Sequence, residues 1–107
     1  MGISSILSTA FSGLRANAAK AQAAANNVVN ADTPGYRPVR ATTTSLVASR
    51  GIDGGSGVQV QLERQDGEVE LVREFTQLSS AEAAYKASAS LIRTAEETHD
   101  ALIDAIR

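Results

Sequence analysis

One stretch limits what this chain can fold into more than any other, because it stops a helix and then turns the chain. It follows an alanine-rich segment, and asparagine there competes for backbone hydrogen bonds and interrupts a helix. Asn30 is predicted to end the helix in the left-handed conformation that asparagine tolerates. Thr33–Tyr36 predicts a type II turn, since proline fixes the first central φ and glycine supplies the positive φ that follows. The stretch is Asn26-Asn27-Val28-Val29-Asn30-Ala31-Asp32-Thr33-Pro34-Gly35-Tyr36.

Apolar residues before this stretch alternate steps of four and three residues without a break. This heptad spacing predicts a helix over residues 3–30 that packs against at least one partner helix. Gly13 lies inside the pattern and costs about 1 kcal/mol relative to alanine, so we expect a neighbouring backbone to approach it closely. The predicted packing positions are Leu7, Phe11, Leu14, Ala18, Ala21, Ala25 and Val28.

A second apolar stripe runs through residues 68–107, which contain no glycine or proline. It predicts a second long helix, with Asp66 as its N-cap. A helix of that length extends about 60 Å at 1.5 Å per residue. The predicted packing positions are Leu71, Phe75, Leu78, Tyr85, Ile92, Leu102 and Ile106.

The middle segment, residues 37–67, follows neither helical spacing. Val58–Leu62 alternates apolar and polar residues, which is typical of a half-buried strand, and Gly51–Gly57 is a flexible turn. The segment predicts a β-hairpin or a pair of extended arms. Because a lone hairpin is marginally stable in water, we expect it to lean on the helices or on a neighbouring subunit.

These elements predict a mainly α chain with two long antiparallel terminal helices in a coiled-coil-like hairpin. The short β-hairpin or extended arm lies between them. We divide the single structural domain into residues 1–36, 37–67 and 68–107. Two Phe and two Tyr are the only aromatic residues among 107, and alanine supplies much of the apolar content. Alanine buries little area, so the composition favours a subunit that is completed by its neighbours.

No residue pattern indicates an enzyme or a metal site. The chain has no cysteine, which excludes disulfides and cysteine-ligated metal. His99 is the only histidine, and a surface or packing role is favoured over a metal ligand because no second His or Cys accompanies it. The segment Gly51–Gly57 resembles neither a Walker loop nor a dinucleotide fingerprint. We therefore expect no catalytic residue, no cofactor and no small-molecule substrate.

Charge and hydropathy exclude two further classes of partner. The net charge is -2, and it is unevenly placed: the first half of the chain is mildly basic and the last third is acidic. Arg37, Arg40 and Arg50 are too few to indicate nucleic-acid binding. No apolar run approaches the roughly 20 residues that span a bilayer, so we expect no membrane insertion. No basic region precedes the first apolar residues, which argues against a cleaved secretory signal.

Two sets of motifs resemble bacterial flagellar rod and hook proteins. The first set is Ser12-Gly13-Leu14-Arg15-Ala16, then Asn26-Asn27-Val28-Val29-Asn30, then Thr33-Pro34-Gly35-Tyr36-Arg37. The second set is Val69–Phe75, Ala83–Ala87 and Ile92–Glu97, which resembles the terminal helix of that family. Within these motifs we single out Gly13, Asn26, Asn27, Asn30, Thr33, Pro34, Gly35 and Tyr36.

The resemblance implies a structural subunit of the basal-body rod. In that family the terminal helices form the innermost domain and line the axial tube. The proteins are exported uncleaved through the flagellar type III export apparatus. They assemble helically in the periplasm or beyond, with copies of themselves and other axial proteins, so the resemblance places this chain in the periplasmic rod of the basal body. The short middle segment is similar to proximal-rod members, because hook and distal-rod members insert large outer domains there. Val29 stands where the family usually has alanine.

A second hypothesis belongs to another class: a cytoplasmic helical-hairpin adaptor or coiled-coil binding module. It requires the same heptads, but neither export nor a polymer. Detection of the protein in purified basal bodies separates the two hypotheses.

Overall fold

The computed structural model describes residues 3–46 and 57–106. Helix α1 spans Ile3–Val29, strand β1 spans Val39–Leu46, strand β2 spans Gly57–Arg64 and helix α2 spans Leu71–Ile106. The predicted fold class is confirmed: the chain is mainly helical, with a two-stranded antiparallel hairpin between the helices. The described molecule is elongated, with extents of 63 × 28 × 14 Å.

The two helices run antiparallel. Asn27 of α1 contacts Glu74 of α2, and Gly13 lies beside Ser88. Asn27 and Gly13 are separated by as many residues along α1 as Glu74 and Ser88 are along α2. The two helices therefore keep the same register over the whole contact. Because α2 is longer, its last turns continue past the described start of α1.

Alanine forms the interior of this helical pair. Five alanines are at most 6% exposed, whereas Phe11, Phe75 and Tyr85 are between 45% and 54% exposed. Small side chains let the helix backbones approach closely, but each buries little apolar area. The subunit therefore leaves most of its large apolar side chains at the surface. The buried alanines are Ala10, Ala16, Ala23, Ala24 and Ala81.

The hairpin packs on α1 through both strands. Its antiparallel register pairs Val39 with Arg64 at one end and Leu46 with Gly57 at the other. The predicted alternation in β2 is confirmed for Val58 and Val60, which are half-buried between exposed glutamines. Leu62 departs from it and is 64% exposed. The predicted turn at Gly51–Gly57 lies outside the described residues, except for Gly57 in β2.

The start of α2 differs from the sequence prediction. The helix begins at Leu71 instead of residue 68, and the Glu70 carbonyl accepts a hydrogen bond from the Glu74 amide at 3.0 Å. Asp66 is therefore too early in the chain to be the N-cap. It pairs instead with Arg37 at 2.8 Å, and the positive φ of 101° at Gly67 lets the chain turn between this ion pair and the helix.

Candidate functional site

The asparagine-rich stretch ends α1 in a different way from the one predicted. Val29 is the last helical residue, and both the backbone amide and Nδ2 of Asn30 donate to the Asn26 carbonyl, at 3.1 and 2.9 Å. The left-handed conformation expected at Asn30 is wrong, since no non-glycine residue in the described ranges has a positive φ. The Asn30 side chain thus reinforces the end of the helix, because its Nδ2 donates to the same carbonyl that already accepts the backbone amide.

The turn that follows is the predicted type II turn. The Tyr36 amide donates to the Thr33 carbonyl at 3.2 Å, and Gly35 has a φ of 77°. The Thr33 amide in turn donates to the Asn30 carbonyl at 3.0 Å, so the turn is attached directly to the helix end. This geometry directs Tyr36 back towards α1.

Asn27 joins three parts of the chain through one side chain. Its Oδ1 accepts from the Tyr36 hydroxyl at 2.9 Å and from the Val39 amide at 2.8 Å. Its Nδ2 donates to the Val39 carbonyl at 2.8 Å and to Oε2 of Glu74 at 3.0 Å. The side chain is 1% exposed, and both acceptor and both donor positions of its amide are used. We call Asn27, Tyr36, Val39 and Glu74 the asparagine junction.

Glu74 brings a carboxylate into this junction. It is 5% exposed, and burial of a carboxylate is costly unless hydrogen bonds and opposite charges compensate it. Asn27 supplies a hydrogen bond, and the cationic Lys20 and Arg40 line the same small cavity of about 200 Å³. Glu74 thus links α2 to the end of α1. An apolar residue at this position would leave Nδ2 of Asn27 without one of its two acceptors.

A second set of contacts holds the base of the hairpin to the turn. The Arg64 guanidinium lies over the Tyr36 ring, 5.3 Å from its centroid, and Nη1 donates to the Arg37 carbonyl at 2.7 Å. The Gln65 amide donates to the Pro38 carbonyl at 2.8 Å. Tyr36 is therefore held at both its hydroxyl and its ring, which orients it towards Asn27.

Ser12 holds the other end of the hairpin. Its Oγ accepts from the Val58 amide at 3.1 Å and donates to the Thr9 carbonyl at 2.9 Å. A Cβ on Gly57 would lie 3.2 Å from this oxygen, so a glycine suits the position. The close backbone approach expected at Gly13 is absent from the described part of the chain. The nearest neighbour there is the Ser88 hydroxyl, 3.5 Å from where a Cβ would lie, which is an ordinary contact.

An open apolar groove of about 770 Å³ runs along the first half of α1 and is closed on one side by α2. Leu7, Phe11, Leu14 and Ala18, all predicted packing positions, line it together with Tyr85. Leu7 and Leu14 are half-buried, whereas Phe11 is 49% exposed. We call this surface the α1 groove. In the single subunit the apolar surface of these residues is uncovered. Assembly through them stays a prediction.

The other predicted packing positions are either half-buried or exposed. None of them is among the buried alanines that fill the interior. Ala21, Val28, Leu78 and Ile92 are half-buried, and Ala25, Leu71, Phe75, Leu102 and Ile106 are exposed.

Three contacts of the junction were not predicted from the sequence: those of Asn27 with Glu74, with Val39 and with the Tyr36 hydroxyl. The position of Glu74 could have been noticed in the sequence. It lies three residues after Leu71 and four before Leu78, so a charged residue falls on the apolar face of the predicted helix. A signal for Asn27 exists too, because it follows the buried Ala23 and Ala24 at helical spacing. A polar residue on a small-residue helix face indicates a buried hydrogen bond, but not its partner.

The described residues contain no group of three or more His, Cys, Asp or Glu that is placed to hold a metal ion. His99 is exposed near the end of α2. Neither helix, within the ranges that the structure describes, combines the length and the apolar character needed to cross a membrane.

In a comparison with known families, residues 7–37 match the model described as "Flagella basal body rod protein". This segment carries a flagellar rod signature. It contains the α1 side of the groove, Ser12, Asn27 and the type II turn, so the rod signature coincides with the residues that hold the four elements together. The match confirms the resemblance drawn from the N-terminal motifs. No curated protein matches the chain significantly.

Proposed function

We propose that this chain is a structural subunit of the bacterial flagellar basal-body rod that assembles helically through its two terminal helices. The observation that carries the proposal is the rod-family match over residues 7–37. In the folded chain that segment both builds the asparagine junction and presents the α1 groove. A rod subunit needs a defined shape and an uncovered surface for its neighbours, and this segment supplies both.

The composition of the interior supports assembly. Alanines fill the helical pair, while Phe11, Phe75 and Tyr85 remain about half exposed. Exposed apolar surface spread along both helices is typical of a chain that gains stability from neighbours. Helical assembly would arise if different surfaces of adjacent copies meet, because such heterologous contacts do not close into a dimer.

The proposal extends to route and partners. The subunit would be exported uncleaved through the flagellar type III apparatus and would reach the periplasmic rod, with other rod proteins above and below it. Support for this part comes from the family resemblance alone.

The test is the fate of the untagged full-length protein in its own cell. Basal bodies are purified and the chain is quantified by mass spectrometry against known rod components. We expect the wild-type chain in stoichiometric amount, and the Leu14→Asp variant to be absent from basal bodies and to impair motility, because a charge would be placed in the α1 groove. Ser90→Asp, at an exposed position of α2 outside the predicted packing positions, is the matched control.

A folded wild-type protein that stays in the cytoplasm and is absent from basal bodies would contradict the rod hypothesis. That outcome would favour the helical-hairpin adaptor. Normal incorporation of Leu14→Asp would contradict the role of the groove while leaving the rod hypothesis intact.

A further inference from the structure

Helix α1 covers the outer edge of each hairpin strand at one end and leaves the rest of that edge open. In an antiparallel ladder, residues alternate between bonding to the partner strand and facing away from it. Val39 exchanges hydrogen bonds with Asn27, and the Val58 amide donates to Ser12, so both valines face away from the ladder. α1 therefore covers the outer edge of each strand where that strand begins.

The register identifies the open part of each edge. Alternate residues share one phase, so Thr43 and Ser45 of β1 and Val60 and Leu62 of β2 also face away from the ladder. Their outward amides and carbonyls form no hydrogen bond with another residue that the structure describes. Within the same ranges, the α2 backbone approaches α1 closely but neither strand. We call Thr43 and Ser45 the β1 edge, and Val60 and Leu62 the β2 edge.

Neither edge carries the features that usually prevent strand pairing. Native proteins protect exposed strand edges with charged side chains, proline or a β-bulge. Residues 41–46 and 57–62 contain no charged residue and no proline, and the pairing of the described strands is continuous, without a bulge. Leu62 is also 64% exposed. Both edges are therefore suited to accept another strand.

We propose that the β2 edge of one copy pairs with the β1 edge of a second copy as antiparallel strands. This inference rests on the proposed function, in which copies lie side by side, but it assigns a contact to the hairpin and not to the terminal helices. Leu62 would face Thr43 of the second copy, and Val60 would face its Ser45. Each pair would exchange both of its outward backbone hydrogen bonds.

This register keeps both helices α1 out of the new ladder. Val58, which α1 covers, would lie beyond the end of the second copy's β1 at Leu46. In the second copy Val39, which is covered by its own α1, would lie beyond the end of the first copy's β2 at Arg64. The covered end of each strand thus extends past its new partner.

Charge favours this pairing. Glu63 would lie opposite Thr42 of the second copy and diagonal to the Arg40 of that copy, at a separation that long side chains can span. Glu63 is already opposite Arg40 within its own chain. The contact would therefore place one carboxylate between two arginines and bring no like charges together across the strands.

Pairing of two β2 edges is unfavourable in either register that uses both residues. With Leu62 opposite Leu62, two Glu63 carboxylates become diagonal neighbours on one face and repel each other. With Leu62 opposite Val60, Arg64 is placed opposite Val58, where α1 lies. Pairing of two β1 edges brings no opposite charges together. Contact between unlike edges is therefore favoured, and it leaves each copy an edge for the next, so it can continue from copy to copy.

The test uses the absence of cysteine from the wild-type chain. In the proposed register Gln61 lies opposite Thr44 of the second copy, and both residues are exposed. The full-length variants Thr44→Cys and Gln61→Cys, one with a mass tag, are mixed in a glutathione buffer that lets disulfides exchange to equilibrium. Mass spectrometry quantifies the mixed disulfide, which requires the two Cα atoms to lie within about 7 Å.

Ser90→Cys, at an exposed position of α2, replaces Gln61→Cys in the matched control. We expect the mixed disulfide of Thr44→Cys with Gln61→Cys to exceed that with Ser90→Cys by about tenfold. Adding Thr42→Glu to the Thr44→Cys chain should lower the yield, because it places a carboxylate opposite Glu63. Glu63→Lys in the Gln61→Cys chain should then restore it. Far-UV circular dichroism checks that every variant keeps the wild-type secondary structure.

Equal yields with Gln61→Cys and Ser90→Cys would overturn the inference. A preference for the disulfide between two Thr44→Cys chains would overturn it too, because like edges would then pair. If the chain is present in basal bodies and the yields are equal, this contact is wrong and the proposed function stands. If the mixed disulfide is favoured but the chain is absent from basal bodies, the proposed function is wrong, and the edge pairing remains as self-association of another kind.

Discussion

Asn27 and Glu74 meet across the two helices, with Nδ2 of the asparagine 3.0 Å from Oε2 of the glutamate. The same asparagine holds both backbone hydrogen-bonding groups of Val39. One buried amide thus fixes the end of α1 relative to the start of α2 and the first residue of β1.

Asn27→Asp should destabilise the subunit by about 3 kcal/mol at pH 7. The change replaces a donor by an acceptor, so the Val39 carbonyl loses its partner and two carboxylates face each other in a buried site. Urea denaturation followed by circular dichroism measures the loss.

Asn26→Asp is the control for that variant. Asn26 is exposed, so the same chemical change one residue earlier should cost less than about 1 kcal/mol, from the unfavourable charge near the helix C-terminus. Equal losses for the two variants would contradict the central position of Asn27.

Tyr36→Phe should destabilise the subunit by about 1 kcal/mol, the net value of one part-buried hydrogen bond. The phenyl ring keeps its contact with the Arg64 guanidinium, so only the bond to Oδ1 of Asn27 is removed. The midpoint of denaturant unfolding, at unchanged slope, measures the loss. Tyr85→Phe removes a hydroxyl that makes no hydrogen bond within the described residues, and we expect no change from it.

Gly35→Ala should destabilise the turn by about 1 to 2 kcal/mol, because its φ of 77° is unfavourable for a residue with a Cβ. No atom lies within 4 Å of where that Cβ would be, so the cost comes from backbone conformation alone. Gly35→Asn should lose less, since asparagine tolerates the left-handed region. Thermal unfolding of the wild type and the two variants gives their order of stability. An alanine variant as stable as wild type would contradict the type II geometry.

Gly13→Ala should stabilise the isolated subunit by about 1 kcal/mol, since the helix gains propensity and a Cβ fits beside Ser88. If the glycine serves close packing between copies, the same variant should incorporate poorly into basal bodies. Two measurements on this variant are compared with wild type: the free energy of unfolding of the purified subunit, and the amount of the protein in basal bodies. A destabilised subunit would show that Gly13 is needed inside the chain.

Local chemistry made part of this structure predictable. Pro34 and Gly35 restrict their own backbone angles, so the turn followed from two adjacent residues. The two helices were predictable because apolar residues recur at helical spacing over long stretches without interruption. The partners of Asn27 did not, because Val39 and Glu74 are distant in sequence and nothing in their periodicity marks them as neighbours.

The buried face of α1 was harder to assign for a related reason. Alanines surround the whole helix, so the apolar stripe is too broad to fix one orientation. The large residues Phe11 and Leu14 suggested the packing seam, yet Ala16 and Ala24 fill the interior because they permit the closest helix approach. Spacing identified the apolar residues, and side-chain size decided which of them were enclosed.

The two anchors of the hairpin have a mechanical consequence. Asn27 holds Val39 at one end of the ladder, and Ser12 holds Val58 at the other, roughly 20 Å away along α1. A ladder mounted at two separated points resists pivoting. A lateral force on the Leu46–Gly57 end would therefore pass to α1 through Ser12, while Asn27 at the far end would oppose rotation of the ladder, so that the hairpin and the helix would turn together.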